Sequence, residues 1–170
     1  MIKLEKKESI YFLTLDAGEN RWNTTFVKEI AKALDTIEDD EGQGALITSS
    51  TDSKFFSNGL DLEWMQAPED YPDGGDREVF GEEFMYLMGR FITLPIPTVC
   101  ALNGHTFGAG FMFALSHDFR IMREDRGFLC ANEIQLGLPI PRPELALFKH
   151  KIPANAFFET VQLSKRWTGT

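Results

Sequence analysis

Short apolar runs of strand character alternate along this chain with longer runs in which apolar residues recur every three or four positions. Alternation of that kind constrains a fold more than any composition does, because it points to parallel strands joined by crossover helices, the α/β class. Two junctions stand out. Phe56-Ser57-Asn58-Gly59-Leu60-Asp61-Leu62 and Asn103-Gly104-His105-Thr106-Phe107-Gly108-Ala109-Gly110 each follow an apolar run and precede a helical one. Such turns leave backbone N–H groups unpaired and pointing outward. Two of them facing one point form an oxyanion hole, which stabilises negative charge growing on a carbonyl oxygen. A lone carboxylate, Glu133 in Ala131-Asn132-Glu133-Ile134-Gln135-Leu136-Gly137, is the candidate proton carrier beside it. Together they suggest enolate chemistry on a thioester or a similar carbonyl.

Ile2-Lys3-Leu4-Glu5 and residues 10–15 make a hairpin through Lys6 to Ser9. Thr24 or Thr25 caps a helix carrying Phe26, Ile30, Leu34 and Ile37, which ends in the acidic stretch before Gly42. A strand at 45–48 and a helix at 61–66 flank the first glycine turn. Residues 67–76, rich in Pro, Asp and Gly, read as a mobile loop. Phe84, Leu87, Met88, Phe91 and Ile92 fall on one face of a helix over 78–93, stopped by Pro95 and Pro97. A strand at 98–102, a helix at 111–116 and strands at 119–122 and 128–130 follow. Pro139, Pro141 and Pro143 precede two closing helices, the second over 156–165. No linker, repeat or low-complexity tract interrupts the chain, so residues 1–170 read as one domain.

Composition excludes several classes of partner. A formal net charge of -9 is wrong for nucleic acid, which needs clustered Lys and Arg. Cys100 and Cys130 lie in apolar runs and read as buried thiols rather than a disulfide. The charged N-terminus lacks the apolar core of a signal peptide, and no apolar stretch is long enough for a bilayer. The expected location is cytoplasmic, with an organelle left open, although Trp167-Thr168-Gly169-Thr170 carries no peroxisomal address. A helix so close to Thr170 suggests a truncated chain.

The same residues resemble the crotonase superfamily, the enoyl-CoA hydratase/isomerase family. Three blocks carry the likeness: Lys54 to Leu62, Pro97 to Gly110 running on to Asp118, and Phe128 to Gly137. The resemblance implies a ClpP/crotonase-like spiral of ββα units, here lacking the family's C-terminal helical region, and assembly as a homotrimer or hexamer. It assigns the oxyanion donors to the backbone N–H groups of Leu60 and Ala109. It also implies substrate contacts at Ser57, Asn58, Gly59, Asp61, Phe107, Gly108, Met112 and Leu136, with weaker implications for Trp22, Asn23, Trp64 and Met65. Hydratases of this family use two glutamates. The first position is Met112 in this sequence and the second is Glu133. The chain thus resembles the Δ3,Δ2-enoyl-CoA isomerase branch, where one carboxylate suffices. The bulky Leu138-Pro139-Ile140-Pro141-Arg142-Pro143, in place of a glycine-rich stretch, points the same way.

The mechanism implied is a 1,3-allylic isomerisation of a 3-enoyl-CoA. No metal or redox cofactor is expected, and coenzyme A enters as part of the substrate. Burial among Met112, Phe113, Leu136 and Leu138 is expected to raise the Glu133 pKa. Alternatives are a hydratase that orients its water differently, a thioesterase or decarboxylase of the same fold, and a non-catalytic acyl-CoA-binding protein. The Gly108-Ala109-Gly110 run is no dinucleotide fingerprint, because Phe113 stands where the third glycine would be. Ser116-His117-Asp118 reads as a helix end with Asp118 in a structural hydrogen bond, and His105 as a satisfied turn residue.

Overall fold

A computed structural model describes residues 1–40, 42–68 and 74–170. Residues 69–73 of the expected loop at 67–76 therefore lie outside the described residues. β1 (Ile2–Lys7) and β2 (Ile10–Leu15) form the antiparallel hairpin. Strict alternation along β2 buries Tyr11, Leu13 and Leu15 and leaves the other face half-covered.

Helix α1 (Thr24–Glu38) turns Phe26, Ile30, Leu34 and Ile37 into the core. Its cap is Asn23, whose side chain accepts from the Phe26 N–H, and not Thr24 or Thr25. Thr24 instead donates its hydroxyl to the Asp76 carbonyl, so a side-chain acceptor one residue earlier wins the capping position.

β3 (Ala45–Ser50), β5 (Thr98–Leu102) and β7 (Phe119–Met122) extend the hairpin into a five-stranded sheet of order β1-β2-β3-β5-β7, parallel from β2 onward. α3 (Phe80–Thr93) packs against α1 through Phe84, Leu87, Met88 and Phe91. Ile92, expected on that face, is largely exposed; its turn of the helix points to solvent.

Three very short strands make a second sheet, β4 (Phe55–Ser57), β6 (His105–Phe107) and β8 (Leu129–Cys130), parallel in the order β4-β6-β8. The repeated passage from the large sheet to the small one gives the spiral expected from the resemblance. α2 (Leu62–Gln66) follows β4, and α4 (Ala109–Ser116) follows β6. Every residue of α4 is buried, and Phe113 sits at the centre of an aromatic cluster with Trp22, Phe56, Phe91 and His117. α5 (Arg142–Lys151) and α6 (Ala154–Val161) close the described chain.

Candidate active site

The small sheet explains why three separate sequence blocks meet. β4, β6 and β8 run parallel and side by side, so their C-terminal ends open on one edge. Ligands of open parallel sheets gather at such edges. From β4 the chain enters the Gly59 turn. From β6 it enters the Gly108 turn, and from β8 it enters a short 3-10 helix, Glu133–Leu136, which the sequence reading left as loop.

The two turns touch. Gly59 has φ 84° and Gly108 has φ 50°, values that favour glycine. A Cβ on Gly59 would fall 2.9 Å from the Phe107 carbonyl oxygen, and one on Gly108 would fall 3.1 Å from Glu133 Oε1. Absence of both side chains thus lets the first turn, the second turn and the carboxylate converge.

The two expected donors sit on this junction. Flanking backbone groups are occupied: the Gly59 carbonyl accepts from Trp22 N, Asp61 N donates to the Trp22 carbonyl, and the Gly108 carbonyl accepts from Phe111 N and Met112 N. The Leu60 and Ala109 N–H groups have no acceptor among the described residues. Ala109 opens α4, so its N–H also lies at the positive end of that helix.

Glu133 is only 8% exposed, and its Oε2 is buried with no hydrogen-bond partner among the described residues. Burial pushes its pKa above the usual carboxylate range, opposed in part by its own backbone N–H. A cavity of about 540 Å³ opens in front of it. Asn58, Gly59, Leu60, Gly108, Ala109, Met112, Glu133 and Leu136 all line it, as expected. The walls are mostly apolar, with Met65, Phe84 and Leu138 beside them. Asn58 is anchored to Glu19 through its side-chain amide. Arg21, also in the lining, is paired with Glu19 and Glu63.

Other expected contacts are corrected. Ser57 is fully buried: its hydroxyl accepts from Trp22 Nε1 and donates to the Asn20 carbonyl, so it braces the turn from behind. Asp61 caps α2 by accepting from Trp64 N and faces away from the cavity. The Phe107 ring stacks on His105 at 5.3 Å instead of lining the cavity. Trp22 and Trp64 are core residues, and Asn23 spends its side chain on the α1 cap. Phe113 is fully buried and is not among the residues lining the cavity.

Of the other polar residues singled out, Asp118 holds the Thr98 N–H and hydroxyl, as expected. His117 is buried between the Phe113 carbonyl and Thr48 Oγ1, and burial lowers its pKa to about 4. His105 is a strand residue, and its buried Nδ1 lacks a partner, so it is not a satisfied turn residue. The sequence reading missed Glu144. It stands in the first turn of α5 and lines the same cavity as Glu133. Its signal was a glutamate just after Pro141 and Pro143, at a helix start; only the folding-back of α5 reveals its neighbour.

Comparison with known proteins agrees with this geometry. Residues 5–170 match the model of the enoyl-CoA hydratase/isomerase family. The peroxisomal enoyl-CoA delta isomerase 2 of Arabidopsis thaliana is 36% identical over 166 residues, covering 96% of this chain and 69% of the relative. Enoyl-CoA delta isomerase 3 of the same plant is 35% identical, covering 89% of this chain and 64% of the relative, so the chain spans about two thirds of such proteins. Among solved structures, a probable enoyl-CoA hydratase from Mycobacterium tuberculosis superposes with a TM-score of 0.87 at 24% identity, over 99% of this chain and 69% of that one. An enoyl-CoA hydratase/isomerase family protein from Pseudomonas syringae gives 0.87 at 21%, over 99% of this chain and 70% of that one. At those identities the likeness carries the fold. With the family match spanning nearly the whole sequence, the chain belongs to the enoyl-CoA hydratase/isomerase family.

Proposed function

We propose that this protein is a Δ3,Δ2-enoyl-CoA isomerase. The observation that carries the reading is the buried carboxylate of Glu133, set against the join of the two glycine turns, while the second hydratase position is Met112. The similarity to plant enoyl-CoA delta isomerases supports it.

In the proposed reaction, the thioester oxygen of a 3-enoyl-CoA sits between the N–H groups of Leu60 and Ala109. Glu133, made more basic by its apolar surroundings, removes a proton from C2. Electrons move onto the carbonyl oxygen, and the dienolate is held by the two donors and the α4 N-terminus. Return of a proton to C4 leaves the double bond between C2 and C3. Coenzyme A is part of the substrate, and none of these steps calls for a further cofactor.

An assembly of trimers, alone or paired, is proposed for the protein. The exposed Phe119 and Ile121 of edge strand β7 offer an apolar surface for it. Among the described residues no helix is long and apolar enough to cross a membrane. The compartment is proposed as cytosol or, as the names of two plant relatives state for those proteins, the peroxisome.

The test is turnover of 3-cis- and 3-trans-enoyl-CoA, followed through the conjugated 2-enoyl thioester, with 2-enoyl-CoA hydration in parallel. Glu133→Gln is expected to lower isomerisation by at least about 10³-fold without loss of substrate binding. Hydration exceeding isomerisation would favour the hydratase alternative. Acyl-CoA binding with no turnover would favour a non-catalytic member.

A further inference from the structure

The isomerase reading leaves one group in the cavity without a task. Glu144 shares the cavity with Glu133, yet it comes from a different element. Its helix is firmly placed: Leu147 and Phe148 are buried, and the Phe148 ring meets Phe111 of α4 edge-on at 5.4 Å. α5 therefore packs on the helix whose N-terminus faces the reacting carbonyl, and its own first turn faces the cavity.

Leu136, Leu138, Pro139 and Pro141 are apolar residues that line the same cavity as Glu144. Among the described residues it has no salt bridge. Arg21, the cation among the described lining residues, is paired with Glu19 and Glu63. α4 carries no titratable group, Glu159 of α6 is paired with Lys165, and Lys149, His150 and Lys151 lie in the last turn of α5. Arg142 is exposed at the helix start. The charged group in position to act on Glu144 is thus Glu133. Burial, then the charge on Glu133, raise Glu144 to about 7.

Two carboxyl groups in one apolar cavity cannot both ionise cheaply, so near neutrality they hold one proton between them. An allylic shift is well served by that division of labour. A base must take a proton at C2 while an acid gives one at C4, two bonds further along the chain. A single carboxylate has to do both in turn, crossing the face of the dienolate.

We propose that Glu144 is a second proton-transfer residue of this active site, placed by the first turn of α5 to deliver to C4 the proton that completes the isomerisation begun by Glu133. The inference rests on the isomerase reading. The C2–H bond breaks as the Glu133 O–H bond forms; the Glu144 O–H bond breaks as the C4–H bond forms. Turnover leaves Glu133 protonated and Glu144 ionised. Passage of that proton from Glu133 to Glu144, directly or through one water, restores the starting pair with no external reactant.

The experiment is a single turnover of 3-enoyl-CoA deuterated at C2, in ordinary water, with the purified protein in excess. The C4 position of the product is then read by mass spectrometry. Wild type is expected to place little of the C2 deuterium at C4. In Glu144→Gln, Glu133 must carry the label across, so C4 deuterium rises several-fold and the rate falls by about 10²-fold, the lower end for general acid–base catalysis. Rate against pH gives an independent readout. The wild-type alkaline limb has its midpoint near 7, where Glu144 loses its proton, and Glu144→Gln lacks that limb while keeping the acid limb of Glu133. Label transfer is measured per turnover, so partial misfolding of the variant does not imitate it. Extensive C2-to-C4 transfer in wild type, or an unchanged rate and label in Glu144→Gln, overturns the inference while leaving the isomerase reading intact. Absence of isomerisation in wild type overturns that reading and this inference with it.

Discussion

At the residue scale, the site depends as much on missing atoms as on present ones. Gly108 combines a positive φ with an approach of 3.1 Å between its would-be Cβ and Glu133 Oε1. Gly108→Ala is expected to cost about 1–3 kcal/mol through backbone strain. It also displaces the carboxylate from the oxyanion junction. Isomerisation should fall by about 10²-fold or more, because a 1 Å misplacement of a reacting group has effects of that size. Steady-state kinetics beside a urea melt separates the two effects. A variant with normal stability and normal kcat would show that the junction tolerates the methyl group. Glu133 stood out in the sequence as a carboxylate after a strand-like run, whereas Leu60 and Ala109 were named as donors through the family resemblance. The direction of the Ser57 side chain was not legible. Its hydroxyl is turned inward, where it bonds Trp22 Nε1, while Asn58 and Gly59 beside it line the cavity. Motif proximity gave no information on side-chain direction. Glu144 escaped for the opposite reason, since its neighbour lies eleven positions earlier and meets it only through the fold.

At the element scale, long elements announced themselves and short ones did not. α1 and α3 carry enough turns for a period to show, and β2, β3 and β5 enough residues for a run. β4, β6 and β8 have three, three and two residues. Nothing periodic fits in that length; they exist because parallel neighbours pair with them. The functional edge is thus built from the least legible elements, and the family resemblance, not periodicity, pointed to it. The larger sheet is tied at a comparable junction. Asp118 accepts from both the N–H and the hydroxyl of Thr98 at the start of β5, and the Thr98 hydroxyl accepts from Asp118 N in return. Thr98 is fully buried, so Asp118→Ala leaves its N–H without a partner. The expected destabilisation is about 1–3 kcal/mol with kcat unchanged, because the tie lies at the opposite end of β5 from the turn that leads to Gly108. Chemical denaturation and turnover on the same preparation check it; a loss of kcat at full stability would mean that this tie reaches the site.

At the scale of the whole molecule, buried ionisable groups pull stability in opposite directions with pH. His117 has a folded pKa near 4 against 6.5 for the free side chain. The unfolded chain therefore binds the extra proton first. Stability from this group is complete above 6.5 and is lost as pH falls from there to 4, by roughly 3 kcal/mol at about 1.4 kcal/mol per pH unit. Glu144 acts the other way. Its folded pKa is near 7 and its free value is 4.5, so the folded chain retains a proton that the unfolded chain releases. Its contribution is present below 4.5 and is lost as pH rises to 7. With both slopes acting across the same interval, an acidic pocket group offsets part of the acid sensitivity of a core histidine. Removing the carboxylate exposes the trade. Glu144→Gln is expected to be more stable than wild type at pH 8, by about 2 kcal/mol once solvent screening of a half-buried group is allowed for. The difference should shrink to near zero by pH 4, where Glu144 is neutral in both states. Urea midpoints at pH 4, 6 and 8 read this directly. A difference independent of pH would show that Glu144 carries no unfavourable burial, and a wild type more stable at pH 8 would reverse the sign. If the predicted pattern holds, the position that weakens the fold above neutral pH is the one proposed to supply a proton near it. A function-linked cost of that kind is expected where activity requires a buried, imperfectly solvated acid.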